Sequence, residues 1–136
     1  MKKLSVFVLF LSVFSWVAFT PKSFSDDFVV YNVYKALDLG NPDETPRRDF
    51  YVNMGTSQGV HDGATLEVLR TVSTYDLKTE KLYKDVAFPI AHLKVIHVEN
   101  NVAVARLDKM LPIDKTPSIT PRAVMVGDHV RVARAK

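Results

Sequence analysis

Short runs of alternating apolar and polar residues, separated by glycine, proline or asparagine, are the feature that most constrains this sequence. In residues 48–54 the apolar side chains of Phe50, Val52 and Met54 fall on alternate positions, and residues 64–70 repeat this period. A period of two places successive side chains on opposite faces of a strand. Both runs therefore predict half-buried strands rather than helices.

Further β-rich runs lie before and after these two. Asn100 and Asn101 separate two such runs and predict a hairpin turn, because asparagine tolerates left-handed backbone angles. Residues 75–83 form either a second hairpin, with its turn at residues 78–80, or a helix. The predicted strands cover residues 28–36, 48–54, 64–70, 90–99, 102–107 and 123–133.

Six to seven short, mostly antiparallel strands predict an all-β fold. Closure into a barrel removes exposed sheet edges, so we expect a small β-barrel of SH3-like size, closed or partly open.

Five residues are predicted to form structural turns. Gly55, Gly59 and Gly63 suit positive backbone angles in a loop between two strands, and Gly127 with Asp128 indicates a turn or bulge in the last strand. The three spaced glycines do not indicate a phosphate-binding loop, because a strand follows them and no lysine comes directly after Gly63.

The N-terminus has the three parts of a secretory signal peptide. Lys2 and Lys3 precede an apolar run over residues 4–19, and Ser23-Phe24-Ser25 offers the small residues that a signal peptidase requires. The alternative is an uncleaved anchor, but the run is shorter than the roughly 20 residues that span a bilayer. We expect residues 1–25 to be removed and residues 26–136 to form a single periplasmic domain without stable membrane insertion.

The balance of charge argues against a nucleic-acid partner. Three of the 18 basic residues precede residue 26, whereas all 15 acidic residues follow residue 25, so 15 of each remain in the mature chain. Nucleic-acid binding needs an excess of clustered Lys and Arg. The absence of cysteine also excludes disulfides and a lipid-modified cysteine.

Several short motifs resemble the C-terminal β-barrel domain of the flagellar assembly protein FlgT, a component of the ring around the flagellar basal body. They are Tyr51-Val-Asn-Met-Gly55, Gly59-Val-His-Asp-Gly63, Leu66-Glu-Val68, Ala91-His-Leu-Lys-Val95 and Val126-Gly-Asp-His-Val130. The resemblance covers about residues 50–132 and extends to related bacterial envelope barrels. It implies a periplasmic assembly protein with no enzymatic activity and no cofactor.

No catalytic or metal-binding constellation is predicted. His92 and His97 are five residues apart in one strand, so they face opposite sides unless a bulge intervenes. His61, Asp62 and His129 are the candidate ligands of a metal-dependent hydrolase, which is a third hypothesis beside the two described below. A zinc site would need three or four converging ligands.

The proline-rich segment of residues 108–121 is a candidate partner-binding loop. Its apolar residues either dock onto another protein or lie across the chain's own barrel. Residues 28–36 leave the same two alternatives open, as an edge strand or as a strand donated to a neighbour. The candidate binding residues of the loop are Met110, Leu111, Pro112, Ile113 and Ile119.

We therefore expect an exported, non-enzymatic structural or assembly component of a bacterial envelope complex, with envelope proteins, including flagellar basal-body components, as partners. Oligomerisation is compatible with this role. The alternative is a module that binds cell-wall glycan through exposed aromatic faces. The tyrosines available for stacking are Tyr31, Tyr34, Tyr51, Tyr75 and Tyr83.

Overall fold

One antiparallel sheet of six strands makes up the computed structural model, which describes residues 27–134. The order of strands across the sheet is β1-β2-β5-β4-β3-β6, and single 3-10 turns lie at Thr56–Gln58 and Ile113–Lys115. The prediction of an all-β fold is confirmed. The strands are β1 (Val30–Lys35), β2 (Arg48–Val52), β3 (Thr65–Asp76), β4 (Lys81–Val98), β5 (Ala103–Met110) and β6 (His129–Val132).

The core lies on one face of this sheet, as the alternation of the sequence requires. Leu66 and Val68 of β3 are fully buried, whereas Glu67 between them and Leu69 after them are partly exposed. Three fully buried alanines allow close packing of this face: Ala91 of β4, and Ala103 and Ala105 of β5. The larger side chains that complete the core include Val30, Phe50, Val52, Ile90, Leu93, Val95 and Val130.

Strands β3 and β4 are much longer than their predicted counterparts and form one continuous hairpin. The predicted strand of residues 64–70 runs on to Asp76, and the polar residues that follow turn back into β4. The helical alternative for residues 75–83 is therefore wrong. We call residues 71–88, the distal part of this hairpin, the arm.

The two edges of the sheet approach each other without forming a ladder. An isolated bridge joins Val29 to His129, and the Val30 N–H donates to the Asp128 carbonyl over 2.9 Å. The Val130 N–H donates to the carbonyl of Phe28 over 2.7 Å. The sheet is not closed, and the barrel is not established. Strand β1 pairs with β2 of the same chain, which answers the question left open for residues 28–36.

The last predicted strand is shorter than expected. Residues 123–128 are a loop with a turn, and only His129–Val132 pairs with β3. The reason is the side chain of Asp128, which accepts a hydrogen bond from the Met125 N–H over 2.8 Å and so holds the preceding residues in a turn.

The predicted signal peptide, residues 1–25, lies outside the described residues. Within residues 27–134, no helix has the length and apolar character needed to traverse a bilayer.

Candidate functional site

The arm is a paired part of the sheet that the rest of the described chain leaves largely uncovered. Strand β6 pairs with β3 only over Leu66–Leu69, and β5 pairs with β4 only from Ala91 onward. Within residues 27–134, no third strand lies beside the arm. A two-stranded hairpin is marginally stable by itself, so the arm depends on its base for order.

The face of the hairpin that is buried at the base continues along the arm as an exposed apolar surface. Val72 follows the buried Val68 and Arg70 at intervals of two in β3, and it lies opposite Val86. Tyr83 lies on the same face, opposite Thr74, one step further out. The exposed fractions of Val72, Val86 and Tyr83 are 38, 43 and 48%. We call these three residues the arm patch.

A bulge and an acidic cap shape the tip of the arm. The register shifts between Val72 and Thr74, where Asp85 of β4 adopts a positive φ of 57°. The carboxylate of Asp76 accepts hydrogen bonds from the Thr79 hydroxyl over 2.6 Å and from the Lys78 N–H over 2.9 Å. These hydrogen bonds lower the pKa of Asp76, and the bond from the Thr79 hydroxyl has the largest effect.

The base of the arm is fixed by a buried ion pair. The Nε and Nη2 atoms of Arg70 donate to the two carboxylate oxygens of Asp128 over 2.9 and 2.8 Å. The same guanidinium donates to the carbonyls of Pro121 and Ala123, each over 2.6 Å. Hydrogen bonding to Asp128 raises the pKa of Arg70, although burial opposes the charge. This network attaches the loop before β6 to the start of the arm.

The glycine loop after β2 packs closely on the connection between β4 and β5. Gly59 and Gly63 have positive φ angles of 81 and 78°. Gly55 differs from the expectation, since its φ of −150° is extended. A Cβ at Gly55 would lie 2.0 Å from the Glu99 carbonyl oxygen, so glycine is required there for close packing on the β4–β5 turn. Gly127 also has a positive φ, of 93°.

The candidate partner-binding loop contacts its own sheet through a few residues, while most of its residues are exposed. Met110 ends β5 and, with Ile119, packs against the core. The Leu111 N–H donates to the Ile90 carbonyl over 2.8 Å, and Pro112 is the N-cap of the 3-10 turn. Ile113 is 77% exposed. The contacts match the alternative that the loop lies across its own sheet, and a role in binding a partner stays a prediction.

The histidines do not gather into a site. A shift of register lies between Val95 and His97, so a bulge separates His97 from His92. Within the part of the chain that the structure describes, no three His, Asp or Glu side chains are placed to hold a metal ion. The trio of His61, Asp62 and His129 is therefore not assembled.

Three of the five candidate tyrosines cluster on the first two strands. The rings of Tyr31 and Tyr51 meet edge to face with their centroids 6.2 Å apart. Tyr34 lies opposite Asp49 and is 60% exposed. Tyr75 and Tyr83 are on the arm, so the structure divides the five residues between two surfaces.

Two of these features were missed in the sequence. Arg70 is buried although it lies in a run that ends in polar residues. The one signal for its burial was its spacing of two and four residues from Val68 and Leu66, which places it on the same face of the strand. The arm patch was hidden because Val72 and Val86 stand among polar residues.

No protein-family model, curated protein or solved structure matches this chain.

Proposed function

We propose that this chain is exported to the periplasm and acts as a non-enzymatic structural component of an envelope protein assembly. The single observation that carries the proposal is the arm, an ordered hairpin that extends beyond the sheet and presents the arm patch. Neighbouring exposed apolar side chains are typical of protein contact surfaces, and the opposite face of the arm adds the facing pair Tyr75 and Leu82, each 52% exposed. The proposed occupant of the patch is an apolar surface of another envelope protein.

The position and charge of the arm support this role. The arm patch continues the face that the core buries lower in the hairpin, so a partner would cover it as the core covers Val68. Arg70 and Asp128 hold the base in one orientation, which reduces the entropy lost on docking. The arm has no net charge and so favours an uncharged partner surface. Its three acidic and three basic residues are Asp76, Glu80 and Asp85, and Lys78, Lys81 and Lys84.

We further propose that the sheet works as a partly open barrel. The isolated bridge between Val29 and His129 supports this, because it brings the outer edges of β1 and β6 together at one corner. Slow amide exchange at Val30 and Val130, matching that of central strands, would support closure. Exchange as fast as that of the exposed loops would contradict it.

Site-specific photocrosslinking in cells tests the assembly role. A photoreactive amino acid at Tyr83 should give one discrete adduct with an envelope protein, identified by mass spectrometry. The adduct should disappear in the Val72→Asp/Val86→Asp variant, because carboxylates cannot enter an apolar contact without a large desolvation cost. The matched control places the same photoreactive group at the exposed Lys94 on the body of the sheet.

Three outcomes separate the alternatives. A discrete adduct that depends on Val72 and Val86 supports the proposal, and a flagellar basal-body protein in that adduct would extend it to the complex that the sequence motifs indicate. An adduct at twice the chain mass would replace the proposed partner by a second copy. Equal labelling from Tyr83 and Lys94, or none, would refute docking through the arm.

The tyrosines on β1 and β2 favour glycan binding as the second candidate function. Tyr31 and Tyr34 both expose a large part of their rings, and flat aromatic faces stack on sugar rings. The purified protein should then sediment with insoluble peptidoglycan, and the Tyr31→Ala/Tyr34→Ala variant should not. Failure of the unaltered protein to sediment would refute this candidate.

A further inference from the structure

An open cavity of about 510 Å³ lies where β1 ends and β2 begins, away from the arm. Its apolar wall comes from Phe50 and Leu107 together with Met110 and Val124. No acidic residue is among its lining residues, which lie within the described range. Five cationic residues line it: Lys35, Arg47, Arg48, Arg106 and Arg122.

Most of these cations have no counter-ion in the described structure. The guanidinium of Arg106 pairs with Asp49 over 2.6 Å, and Arg122 donates to the carbonyl of Leu111. Lys35, Arg47 and Arg48 form no ion pair within residues 27–134. An otherwise balanced set of charges is therefore locally positive around this cavity.

The arrangement of two of these cations is unfavourable without an anion. Lys35 and Arg48 are directly opposite each other in the β1–β2 ladder. Like charges at facing positions destabilise a sheet. Binding of a carboxylate or phosphate between them would remove that repulsion, and guanidinium groups match both kinds of anion with paired hydrogen bonds.

The shape of the depression indicates what kind of anion would fit. A second open cavity, of about 380 Å³, shares Pro46, Arg47 and Arg106 with the first, so the two adjoin. Three acidic residues also line this second cavity, so an anion is expected to occupy the first cavity alone: Asp38, Glu44 and Asp49. The first cavity combines cations from several stretches of the chain with an apolar wall, so it suits a short extended segment that carries both carboxylates and an apolar side chain better than a compact ion. The segments of this chain outside residues 27–134 carry the cations Lys2, Lys3, Lys22 and Lys136 and one acid, Asp26, so they have the wrong charge.

We infer that this cavity is a docking site for an extended acidic peptide segment of another protein, with an apolar side chain between its carboxylates. The carboxylates lie against Lys35, Arg47 and Arg48, and the apolar side chain contacts Leu107 and Met110. The inference goes beyond the assembly role and uses none of the residues of the arm.

Titration of the purified full chain with a defined peptide, followed by NMR, tests the inference. The probe is acetyl-Asp-Leu-Glu-Leu-Asp-amide, and its charge control is acetyl-Asn-Leu-Gln-Leu-Asn-amide. The acidic peptide should bind at least about tenfold more tightly than the amide peptide, since hydrogen bonds to ionised groups are stronger than those between neutral groups. Amide shifts should concentrate at β2, the end of β5 and Arg122. Raising the salt concentration should weaken binding.

Charge variants assign the site. The Arg48→Glu variant should lose at least about tenfold in affinity for the acidic peptide, whereas the matched Lys84→Glu variant, an exposed lysine on the arm, should bind as the unaltered protein does. If Arg48→Glu does not fold, Arg47→Gln and Lys35→Gln remove the charge without reversing it.

Several results would overturn the inference. They are equal affinity for the acidic and amide peptides, an unchanged affinity in the charge variants, or shifts confined to other residues. Inorganic phosphate that binds as tightly as the peptide would indicate a simple anion site. Sedimentation with phosphatidylglycerol vesicles, without any response to the peptide, would indicate a membrane surface instead.

Discussion

Removal of the Asp128 carboxylate is the most direct test of how the base of the arm is held. In the Asp128→Ala variant, Arg70 loses both of its charge-assisted hydrogen bonds and keeps only the carbonyls of Pro121 and Ala123. The Met125 N–H loses its acceptor as well. The side chains of Arg70 and Asp128 are only 10 and 5% exposed, so water replaces these contacts poorly.

The expected cost follows from this burial. Removing one partner of a buried ion pair destabilises a protein by about 3–5 kcal/mol, because the other charge stays buried without compensation. The two carbonyl acceptors that remain to Arg70 place the estimate at the lower end, about 3 kcal/mol. For a domain of this size, a loss of that magnitude lowers Tm by roughly 12–24 °C. The loop of residues 121–128 should also lose its attachment to the arm.

A second Asp–Arg pair in the same sheet provides the control. Asp49 and Arg106 also meet over 2.6 Å, but their side chains are 25 and 42% exposed. Water screens such exposed pairs, so Asp49→Ala should change Tm by only a few degrees. Urea unfolding followed by circular dichroism measures both variants. If Asp128→Ala and Asp49→Ala lower the free energy of unfolding by amounts that agree within about 1 kcal/mol, burial does not make the pair of Arg70 and Asp128 the more stabilising one.

Three further predictions concern other parts of the fold. Gly55→Ala should lower the free energy of unfolding by at least about 1–3 kcal/mol, because the new Cβ meets backbone at 2.0 Å; in urea unfolding, a loss smaller than that of Gly59→Ala would contradict this. The pKa of Asp76, measured by NMR, should lie below its ordinary value of 3.8. The hydrogen bonds of its carboxylate then stabilise the arm above that pH and are lost as the pH falls through the lowered pKa. A pKa at or above 3.8 would contradict these hydrogen bonds. Without ligand, Arg48→Glu should raise Tm by roughly 1–5 °C, because the repulsion from Lys35 becomes attraction; calorimetry that finds a lower Tm would count against the strained pair.

Local sequence patterns predicted most of the sheet because they report the burial of single strands. The alternation in residues 48–54 led directly to β2 and to the burial of Phe50 and Val52. Asn100 and Asn101 lie in the connection between β4 and β5, as predicted, although neither of them adopts the positive φ on which that prediction rested.

The candidate sites depend on contacts between residues far apart in the chain, which local patterns do not contain. The local pattern predicted that Arg70 is the polar end of a short strand. Its burial depends instead on its ion pair with Asp128, which lies 58 residues later in the chain. The requirement for glycine at position 55 comes from the backbone of Glu99 rather than from a turn. The cationic cavity combines residues of β1, β2, β5 and the last loop, so only the folded chain brings Arg48 and Arg122 to one depression.

The place of β3 and β4 inside the sheet determines how the arm would carry a mechanical load. Both strands continue from the arm into the body, where β6 pairs with Leu66–Leu69 and β5 pairs with β4 from Ala91 onward. Because ladder hydrogen bonds are perpendicular to the strands, a pull along the arm loads each of these ladders in shear. Many hydrogen bonds then resist together, instead of opening one after another as they would at a frayed edge. A hairpin anchored through two interior strands is therefore suited to sustained tension.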